Sequence, residues 1–455
     1  MIFEKIVSEG LAHNSYLLGS RGEAAVIDPR RDCDIYVTQA MEHDVTITHI
    51  FETHRNEDYI IGSLELAAIT GADIYHGSHM DFAYGNPVND EDTFKLGTME
   101  LLVLNTPGHT EESISIALID KEMGDEIYMV FTGDALFAGD VGRTDFFGKA
   151  EIPRVAGALY DSIFNRLIPL GDGVIVCPAH GAGSVCGSHM VDHEFTTIGY
   201  EKKVNPMLQL SREEFIDHKM NEILYQPPYF KYMETCNKEG APPLNGLPLS
   251  HPLNPQKVES HMEEGVQVLD VRNPSSFSGA HIPGSYNVWE EGVPLFAGWV
   301  LAYDSPIIII DEDTGTVPDI LMYLARIGYD SIAGHLAGGF SSWYKSGRPL
   351  NTVSTWSVHD LETALDTDIF LLDVRERSNW NEDGFIEGAH NIFVGEIADR
   401  LEEIPQNNHT VIYCDSGFKT SIAASILKKN GYEHITTVLG GMAAWKNAQY
   451  PVNFS

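Results

Sequence analysis

The sequence is poor in basic residues and has no long apolar run. Its 455 residues include 29 Lys and Arg against 66 Asp and Glu, which gives a formal net charge of −37. Such an acidic balance argues strongly against nucleic acid or anionic membranes as partners. Aliphatic runs such as Ile307–Ile310 are far too short to cross a bilayer. We therefore expect neither a membrane nor a nucleic-acid partner.

Cysteine is also scarce. An odd number of cysteines, spread widely over a long chain, does not form the pattern of a disulfide framework. The five are Cys33, Cys177, Cys186, Cys236 and Cys414. We expect one or two to be chemically active and the others, such as Cys177, to be small buried hydrophobes.

The first ten residues lack a basic flank followed by a long apolar core, so we expect no signal peptide and a cytoplasmic location.

The second half of the chain repeats itself. The stretch V-L-D-V-R at 268–272 recurs as L-L-D-V-R at 371–375, and A-G-G-F-S-S-W at 337–343 recurs as L-G-G-M-A-A-W at 439–445. This period is too long for a solenoid, so we predict two tandem copies of one small α/β domain. A linker rich in Pro and Gly precedes them. The predicted domains are 1–245, 246–351 and 352–455.

Four strand-like runs in the first half each end at a residue that can bind a metal. They are I-T-H-I-F-E-T-H, M-E-L-L-V-L-N-T-P-G-H, I-Y-M-V-F-T-G-D and G-V-I-V-C-P-A-H, ending at His54, His109, Asp134 and His180. If these strands lie in packed sheets, their ends can converge on one edge, where such scaffolds place functional sites.

These motifs, in the order T-H, T-P-G-H-T, T-G-D and P-A-H-G, resemble the metallo-β-lactamase superfamily over most of residues 1–200. The resemblance implies an αββα sandwich with metals at the sheet edge. In two-metal members, one metal lies at the positions of His54, Asn56 and His109. The other lies at those of Asp58, Tyr59 and His180, and Asp134 bridges. Here Asn56 and Tyr59 replace histidines, so each site loses one imidazole.

One set of metal ligands survives this change. His54, His109 and Asp134 form the two-histidine, one-carboxylate constellation of non-haem Fe(II) proteins that activate dioxygen. We expect one Fe(II) per chain, although Zn²⁺ could occupy the purified protein. The alternative is a decayed hydrolase with a structural metal or none.

For Asp58, Tyr59 and His180 we prefer a role in hydrogen bonding around the iron and its substrate. A second, hard divalent ion held by Asp58, Asp134 and His180 stays open. The other histidines are expected to be surface or capping residues rather than ligands; they include His76, His79, His189 and His193.

A closer resemblance lies in F-T-G-D-A-L-F-A-G-D-V-G-R-T-D-F at 131–146, which is similar to the persulfide dioxygenase branch. In that branch a mononuclear iron oxidises the outer sulfur of a thiol persulfide to sulfite. Arg143 could contact an anionic group of the substrate, or it could form a buried pair with Asp145 that shapes the loop.

Cys186 follows His180 in a Gly-rich loop. Its thiol could contact the substrate, but we favour an inert cysteine in a tight turn.

The second C-terminal copy contains a candidate nucleophile. In V-I-Y-C-D-S-G-F-K-T-S, 411–421, a predicted strand ends at Cys414 and a helix starts near Thr420. Loop amides and the helix N-terminus would point at the sulfur, and Lys419 adds a positive charge, so we expect a lowered thiol pKa. The stretch resembles the C-x-x-G-x-[RK] loop of the rhodanese sulfurtransferases.

The first copy has Asp311 in place of Cys414 and three acids in its loop, which predicts an inactive domain.

Together these features resemble persulfide dioxygenase–rhodanese fusions of bacterial sulfide detoxification. The expected reactants are a small-molecule thiol persulfide, O2 and sulfite, with thiosulfate as the product of sulfur transfer, and we expect a homo-oligomer. One alternative is a metal-dependent thioester hydrolase of the glyoxalase II type, disfavoured by the histidines missing at Asn56 and Tyr59. Another is a sulfur carrier or persulfide sensor that loads Cys414 without consuming oxygen.

Overall fold

The computed structural model describes residues 1–187 and 190–454. The chain divides into two compact units, Met1–Leu247 with Ala325–Gly328, and Pro248–Leu324 with Tyr329–Ser455. No helix among the described residues is both long enough and apolar enough to span a membrane.

The first unit contains two six-stranded sheets. The first sheet has the order β1-β2-β3-β4-β5-β6, antiparallel through β3 and parallel beyond it. Its strands are β1 Ile2–Ser8, β2 His13–Ser20, β3 Glu23–Ile27, β4 Thr46–Phe51, β5 Asp73–Gly77 and β6 Asn86–Val88. The second has the order β12-β11-β10-β9-β8-β7, with only the β10–β11 pair parallel. Its strands are β7 Thr93–Leu96, β8 Met99–Asn105, β9 Ile114–Asp120, β10 Ile127–Gly133, β11 Ile175–Pro178 and β12 Thr196–Thr197.

Helices cover the outer faces of both sheets. They are α1 Asp34–Glu42, α2 Ser63–Thr70, α3 Ile152–Ser162, α4 Ile198–Val204, α5 Arg212–Asn221 and α6 Phe230–Glu239, with a π-helical turn Ile163–Leu167 and 3-10 turns Ile168–Leu170 and Pro206–Gln209. An apolar core lies between the sheets and includes Leu18, Ile27, Phe51, Leu101, Ile116 and Phe131. Separate apolar clusters join the first sheet to α1 and α2, and the second to α3 and α5. These layers confirm the predicted αββα sandwich.

The second unit contains two parallel five-stranded sheets with the same topology. The first has the order β13-β17-β16-β14-β15 and the second β18-β22-β21-β19-β20. The strands are β13 Pro252–Leu253, β14 Gln267–Asp270, β15 Tyr286–Asn287, β16 Ile307–Ile310, β17 Ile332–Leu336, β18 Ser354–Trp356, β19 Ile369–Asp373, β20 His390–Asn391, β21 His409–Tyr413 and β22 Ile435–Val438.

The helices of this unit lie at equivalent places in the two copies. Those of the first are α7 Pro255–Glu263, α8 Pro274–Gly279, α9 Val293–Val300, α10 Val317–Arg326 and α11 Gly339–Lys345, with a 3-10 turn Glu290–Gly292. Those of the second are α12 Val358–Ala364, α13 Asn379–Glu382, α14 Lys419–Lys429 and α15 Gly441–Asn447, with 3-10 turns Val394–Asp399 and Leu401–Glu403.

The repeated D-V-R motif makes the same buried contacts in both copies. Arg272 makes a two-pronged ion pair with Asp270, with Nη2 to Oδ2 at 2.7 Å, and Arg375 does the same with Asp373 at 2.7 Å. Each arginine also donates to a main-chain carbonyl at 2.8 Å. All four side chains are buried. A buried charge is tolerated only when it is paired and hydrogen-bonded, so this motif fixes the strand-to-loop turn in both copies.

Candidate metal centre and sulfur-transfer loop

The four strand ends singled out in the sequence meet at one place in the first unit. His54 follows β4, His109 follows β8, Asp134 directly follows β10, and His180 follows β11. All four side chains are at most 2% exposed. Loops at one edge of the sandwich therefore bring together ligand-type side chains that lie far apart in the sequence.

The first cluster consists of His54, His109 and Asp134, whose ligand atoms lie within 4.8 Å of one another. Oδ2 of Asp134 is 3.7 Å from Nε2 of His54 and 3.5 Å from Nε2 of His109. Neither Nε2 atom has a hydrogen-bond partner in the part of the chain that is described. Buried polar atoms are rarely left unpaired, so two such nitrogens facing one carboxylate are the arrangement expected around a cation.

Neighbouring hydrogen bonds orient both imidazoles toward this centre. The Thr53 hydroxyl donates to Oδ2 of Asp28 at 2.7 Å, so it accepts from the Nδ1–H of His54 at 2.9 Å. Nδ1 of His109 lies 3.0 Å from the carbonyl oxygen of Arg143, to which it donates. With Nδ1 protonated, each ring presents the lone pair of Nε2 to the cluster. Metal-binding histidines are held in this way.

The charge balance of the cluster also fits a divalent cation. Burial lowers the pKa of His54 to about 3, which leaves the ring neutral and able to coordinate. Burial alone would raise the pKa of Asp134, but His180 and His54 hold it below its usual value, so the carboxylate is ionised. Burial would lower the pKa of His109, but Glu57 and Asp134 beside the ring raise it, so a cation would compete with a proton there. Two imidazoles and one carboxylate are a donor set suited to non-haem Fe(II), and Zn²⁺ accepts the same donors.

His180 lies between this cluster and Asp58. Its Nδ1 is 2.7 Å from Oδ1 of Asp134, and its Nε2 is 3.1 Å from Oδ2 of Asp58. Tyr59 is fully buried, its ring centroid 6.3 Å from that of His180, and its hydroxyl has no hydrogen bond within the described residues. Asn56 folds back, its amide donating to the carbonyl of His54 at 3.2 Å.

Two buried residues near the metal ligands were missed by sequence reasoning. Oε2 of Glu57 is 3.6 Å from Nε2 of His109, and its other oxygen accepts from Arg55 at 3.1 Å. The ring of His13 packs 4.0 Å from that of Tyr59. Glu57 could have been noticed because it directly precedes Asp58, but the superfamily pattern gives that position no role. His13 lies at the start of β2, and nothing local in the sequence marks it.

The guanidinium of Arg143 is engaged by the protein itself. It is 3% exposed, pairs with Asp145 through two contacts of 2.7 Å, and donates to the carbonyls of Val185 and Tyr225 at 3.0 and 3.2 Å. These contacts favour the loop-shaping alternative over substrate contact. Arg143 also tethers the turn that carries Cys186, because Val185 precedes that cysteine.

Cys186 and the remaining histidines differ in their surroundings. Cys186 is fully buried, and its ligand atom lies within 4.8 Å of those of Asp58 and His180. His79 and His193 are exposed as expected. His76 is buried, so the expectation of a surface or capping residue is wrong; its Nε2 lies 2.7 Å from the carbonyl of Tyr84. His189 lies outside the described residues.

A cavity of about 450 Å³ adjoins His180 in the first unit. This volume is within the range of small-molecule sites. Its lining mixes apolar and polar side chains and one lysine, among them Lys5, Asn14, Tyr16, Met190, His193 and Phe195.

In the second unit, β21 ends directly before Cys414 and α14 begins at Lys419. The thiol is 1% exposed, and its Sγ accepts from the amide of Gly417 at 3.1 Å. Nζ of Lys419 lies 2.9 Å from Oδ2 of Asp415. The loop therefore has the predicted shape, with an amide aimed at the sulfur and a cation beside it.

The expected lowering of the Cys414 pKa is wrong. Burial raises the pKa of this thiol above its usual value, and the Asp415 carboxylate raises it further. Lys419 and the amides of Gly417 and Ser416 act in the opposite direction but do not compensate. Sequence reasoning counted the lysine and overlooked both the burial and the carboxylate that pairs with it.

In the equivalent loop of the first copy, the side chain of Asp311 accepts hydrogen bonds from the donors of its own loop. The Asp311 carboxylate accepts from the amides of Thr314 and Thr316 at 2.7 and 3.3 Å, and from the Thr316 hydroxyl at 3.1 Å. These donors would otherwise be free for a bound anion. The loop has no thiol and satisfies its own donors, which supports the prediction of an inactive copy.

Comparisons with known proteins agree with this architecture. The metallo-beta-lactamase superfamily matches residues 9–180, and the rhodanese-like domain matches residues 254–346 and 357–448. The persulfide dioxygenase ETHE1 of Homo sapiens is 30% identical over 229 residues, which cover 49% of this chain and 82% of that protein. The hydroxyacylglutathione hydrolase GloC of Haemophilus influenzae is 29% identical over 208 residues, 41% of this chain and 87% of that protein.

Among solved structures, a metallo-beta-lactamase from Staphylococcus aureus subsp. aureus COL matches with a TM-score of 0.66 and 31% identity. The match covers 74% of this chain and 99% of that one, so it extends well beyond a single domain. The chain thus belongs to the metallo-beta-lactamase superfamily, as a homologue of the ETHE1 persulfide dioxygenases that carries two rhodanese-like domains after its N-terminal domain.

Proposed function

We propose that the protein oxidises a small-molecule thiol persulfide to sulfite with O2, and that Cys414 then transfers sulfur to sulfite to give thiosulfate. The observation that carries the proposal is the buried cluster of His54, His109 and Asp134, with two inward-facing Nε2 atoms that have no hydrogen-bond partner among the described residues. The similarity to the ETHE1 persulfide dioxygenases and the presence of rhodanese-like domains support the two halves of the reaction.

The first step converts one persulfide, one O2 and one water into one thiol and one sulfurous acid. His54, His109 and Asp134 would hold one Fe(II), which when bound supplies the activation of dioxygen that protein side chains lack. Asp28 and Thr53 keep the His54 ring in its orientation. The persulfide reacts as its anion, and we assign its proton to Glu57, whose Oε2 is buried and unpartnered among the described residues.

The thiol carrier would lie in the cavity beside His180. Its volume of about 450 Å³ suits a small thiol, and Lys5 in its lining would attract a carboxylate of such a carrier. His180 both lines this cavity and donates to Asp134, so it connects the cavity to the metal ligands.

The second step takes place at Cys414. The thiolate attacks the outer sulfur of a second persulfide, the sulfur–sulfur bond of the donor breaks, and the donor leaves as a thiolate. Sulfite then attacks the outer sulfur held on Cys414, which releases thiosulfate and restores the thiolate. The amide of Gly417 at 3.1 Å stabilises the anionic sulfur, and Lys419 offsets the charge of the arriving sulfite.

The test is anaerobic reconstitution with Fe(II) or Zn²⁺, followed by addition of a thiol persulfide and measurement of O2 uptake, sulfite and thiosulfate. We expect uptake with iron only. Cys414→Ser should keep the uptake and yield sulfite in place of thiosulfate, whereas His54→Ala should lose the uptake. Cys33→Ser is a matched control, because Cys33 is also buried but belongs to the apolar cluster outside the first sheet. Absence of uptake with either metal, across several persulfides, would reject the proposal.

A thioester hydrolase is the second candidate. The similarity to GloC covers 87% of that protein, and Asp58 and His180 remain beside the first cluster. Hydrolysis of thioesters of small thiols by the Zn²⁺-loaded protein, without O2 uptake, would establish this alternative. Sulfur loading of Cys414 with neither O2 uptake nor hydrolysis would indicate a sulfur carrier or persulfide sensor.

A further inference from the structure

The loop between β4 and α2, which carries His54, is buried. β4 ends at Phe51 and α2 begins at Ser63, and the described residues between them form neither a helix nor a strand. Apart from Arg55, all residues of 52–62 are buried. Loops normally run over the surface, because their main-chain polar groups need water as a partner. A buried loop must instead find these partners within the protein.

One side chain of α6, that of Asn237, supplies three of these partners. Its Nδ2 donates to the main-chain carbonyls of Asn56 and Tyr59 at 2.7 and 2.8 Å, and its Oδ1 accepts from the main-chain amide of Ile61 at 3.0 Å. The residue is 1% exposed. An asparagine side chain has two N–H donors and one carbonyl oxygen, so every polar atom of Asn237 is bonded to this one loop.

The two carbonyls that Asn237 holds lie on either side of Glu57 in the chain. Oε2 of Glu57 faces Nε2 of His109 at 3.6 Å. The same helix contacts Glu57 by a second connection, because Arg55 pairs with Glu57 at 3.1 Å and with Glu234 of α6 at 3.3 Å. The position of the Glu57 carboxylate beside the metal ligands therefore depends on α6.

We propose that Asn237 is a positioning residue, which holds the Glu57 carboxylate against the first cluster. A carboxylate there places negative charge beside a bound cation. Removing a group that surrounds metal ligands typically lowers metal affinity or activity by roughly 10- to 100-fold. The inference rests on the proposed function only where that function assigns the persulfide proton to Glu57, and its effect on metal binding is independent of the reaction.

The test is a double-mutant cycle on the affinity for Co²⁺ at the site that His54→Ala removes, measured by competition with a chelator. Asn237→Leu is nearly isosteric and removes every polar atom of the side chain; it should lower the affinity roughly 10-fold, as should Glu57→Gln. In the Glu57→Gln background, Asn237→Leu should lower the affinity by less than about twofold, because it acts through Glu57. Effects that simply add would overturn the proposal, since a general loosening of the fold does not depend on Glu57.

Hydrogen exchange of the metal-free protein is a second measurement, which needs neither metal nor activity. Amides of residues 52–62 should exchange roughly 10-fold faster in Asn237→Leu, whereas those of β8 should keep the wild-type rate. Asn287→Leu is the matched control, because Asn287 is buried in the other unit and also donates to two main-chain carbonyls, at 2.8 and 2.9 Å. It should change neither Co²⁺ affinity nor exchange in 52–62.

If Asn237→Leu does not fold, Asn237→Gln takes its place. It keeps the polar groups on a chain one carbon longer, so it displaces the loop and should give smaller effects in the same directions. With Fe(II) bound, either variant should lower kcat for O2 uptake and leave KM for the persulfide within about twofold. Wild-type protein without O2 uptake would reject the proposed reaction alone, whereas unchanged exchange in 52–62 or additive effects on Co²⁺ affinity would reject the role of Asn237.

Discussion

Replacing Thr53 with valine should weaken metal binding at the first cluster while leaving the shape of the site unchanged. The Thr53 hydroxyl links Asp28 to His54: it donates to Oδ2 of Asp28 at 2.7 Å and accepts from Nδ1 of His54 at 2.9 Å. Valine keeps the branched side chain. The main-chain N–H of residue 53 would still donate to Oδ1 of Asp28, as it now does at 2.7 Å. The substitution therefore removes the link and little else.

The size of the effect follows from what His54 loses. Removing the hydrogen-bond partner of a metal-binding histidine lowers metal affinity by roughly 10- to 100-fold, about 1.4 to 2.8 kcal/mol. The Nδ1–H of His54 is also left buried without an acceptor, which costs about 1–3 kcal/mol of folding stability. Asp28 loses one of its two hydrogen bonds from Thr53, and because its pKa is already raised to about 7 by burial, it will tend further toward the neutral form.

The assay is anaerobic competition between the protein and a chelator for Fe(II) or Co²⁺, together with urea unfolding of the metal-free protein. Thr410→Val is the matched control, because the Thr410 hydroxyl is buried with no hydrogen bond among the described residues. The control should bind metal as the wild type does and should be no less stable. A Thr53→Val protein that binds metal within about twofold of the wild type would refute the assigned role of this link.

Three further substitutions test the structure. Asp415→Asn should lower the pKa of Cys414, because a negative charge beside the thiolate is removed; the pH profile of alkylation by iodoacetamide should shift to lower pH, and an unchanged profile would contradict this. Arg375→Gln should cost about 3–5 kcal/mol in urea unfolding, because it leaves the Asp373 carboxylate buried without its cation, although Trp380 still donates to Oδ2; a loss below about 1 kcal/mol would argue against that reading. Gly142→Ala should abolish metal binding measured by calorimetry, since its Cβ would lie 2.0 Å from the main-chain carbonyl oxygen of Asp134 and 3.0 Å from Nδ1 of His109; normal binding would show that the loop can shift.

The repeated motifs predicted the tandem C-terminal copies, and the resemblance to the metallo-β-lactamase superfamily predicted the sandwich. Strand runs that end at His54 and Asp134 are local signals, but β4 and β10 belong to different sheets, so only the packing of the two sheets brings these residues together. Features that depend on contacts between distant segments could not be predicted. Glu57 faces His109 only because two loops fold together, and the pKa of Cys414 depends on burial, which the loop sequence does not encode.

The two C-terminal copies differ in the loop to which we assign sulfur transfer. Both retain the buried D-V-R pair and the same strand order, so these features do not distinguish the copies. At Cys414 the loop amide of Gly417 donates to the sulfur that we propose to carry the transferred atom, whereas at Asp311 a carboxylate accepts from three loop donors. Asp311→Cys alone should therefore not create a second active loop. The new thiol would free those donors, but the loop would still carry Glu312 and Asp313 and no cation. Fold and the proposed chemistry are separable here, because the ion pair that shapes the turn is distinct from the residue to which we assign the reaction.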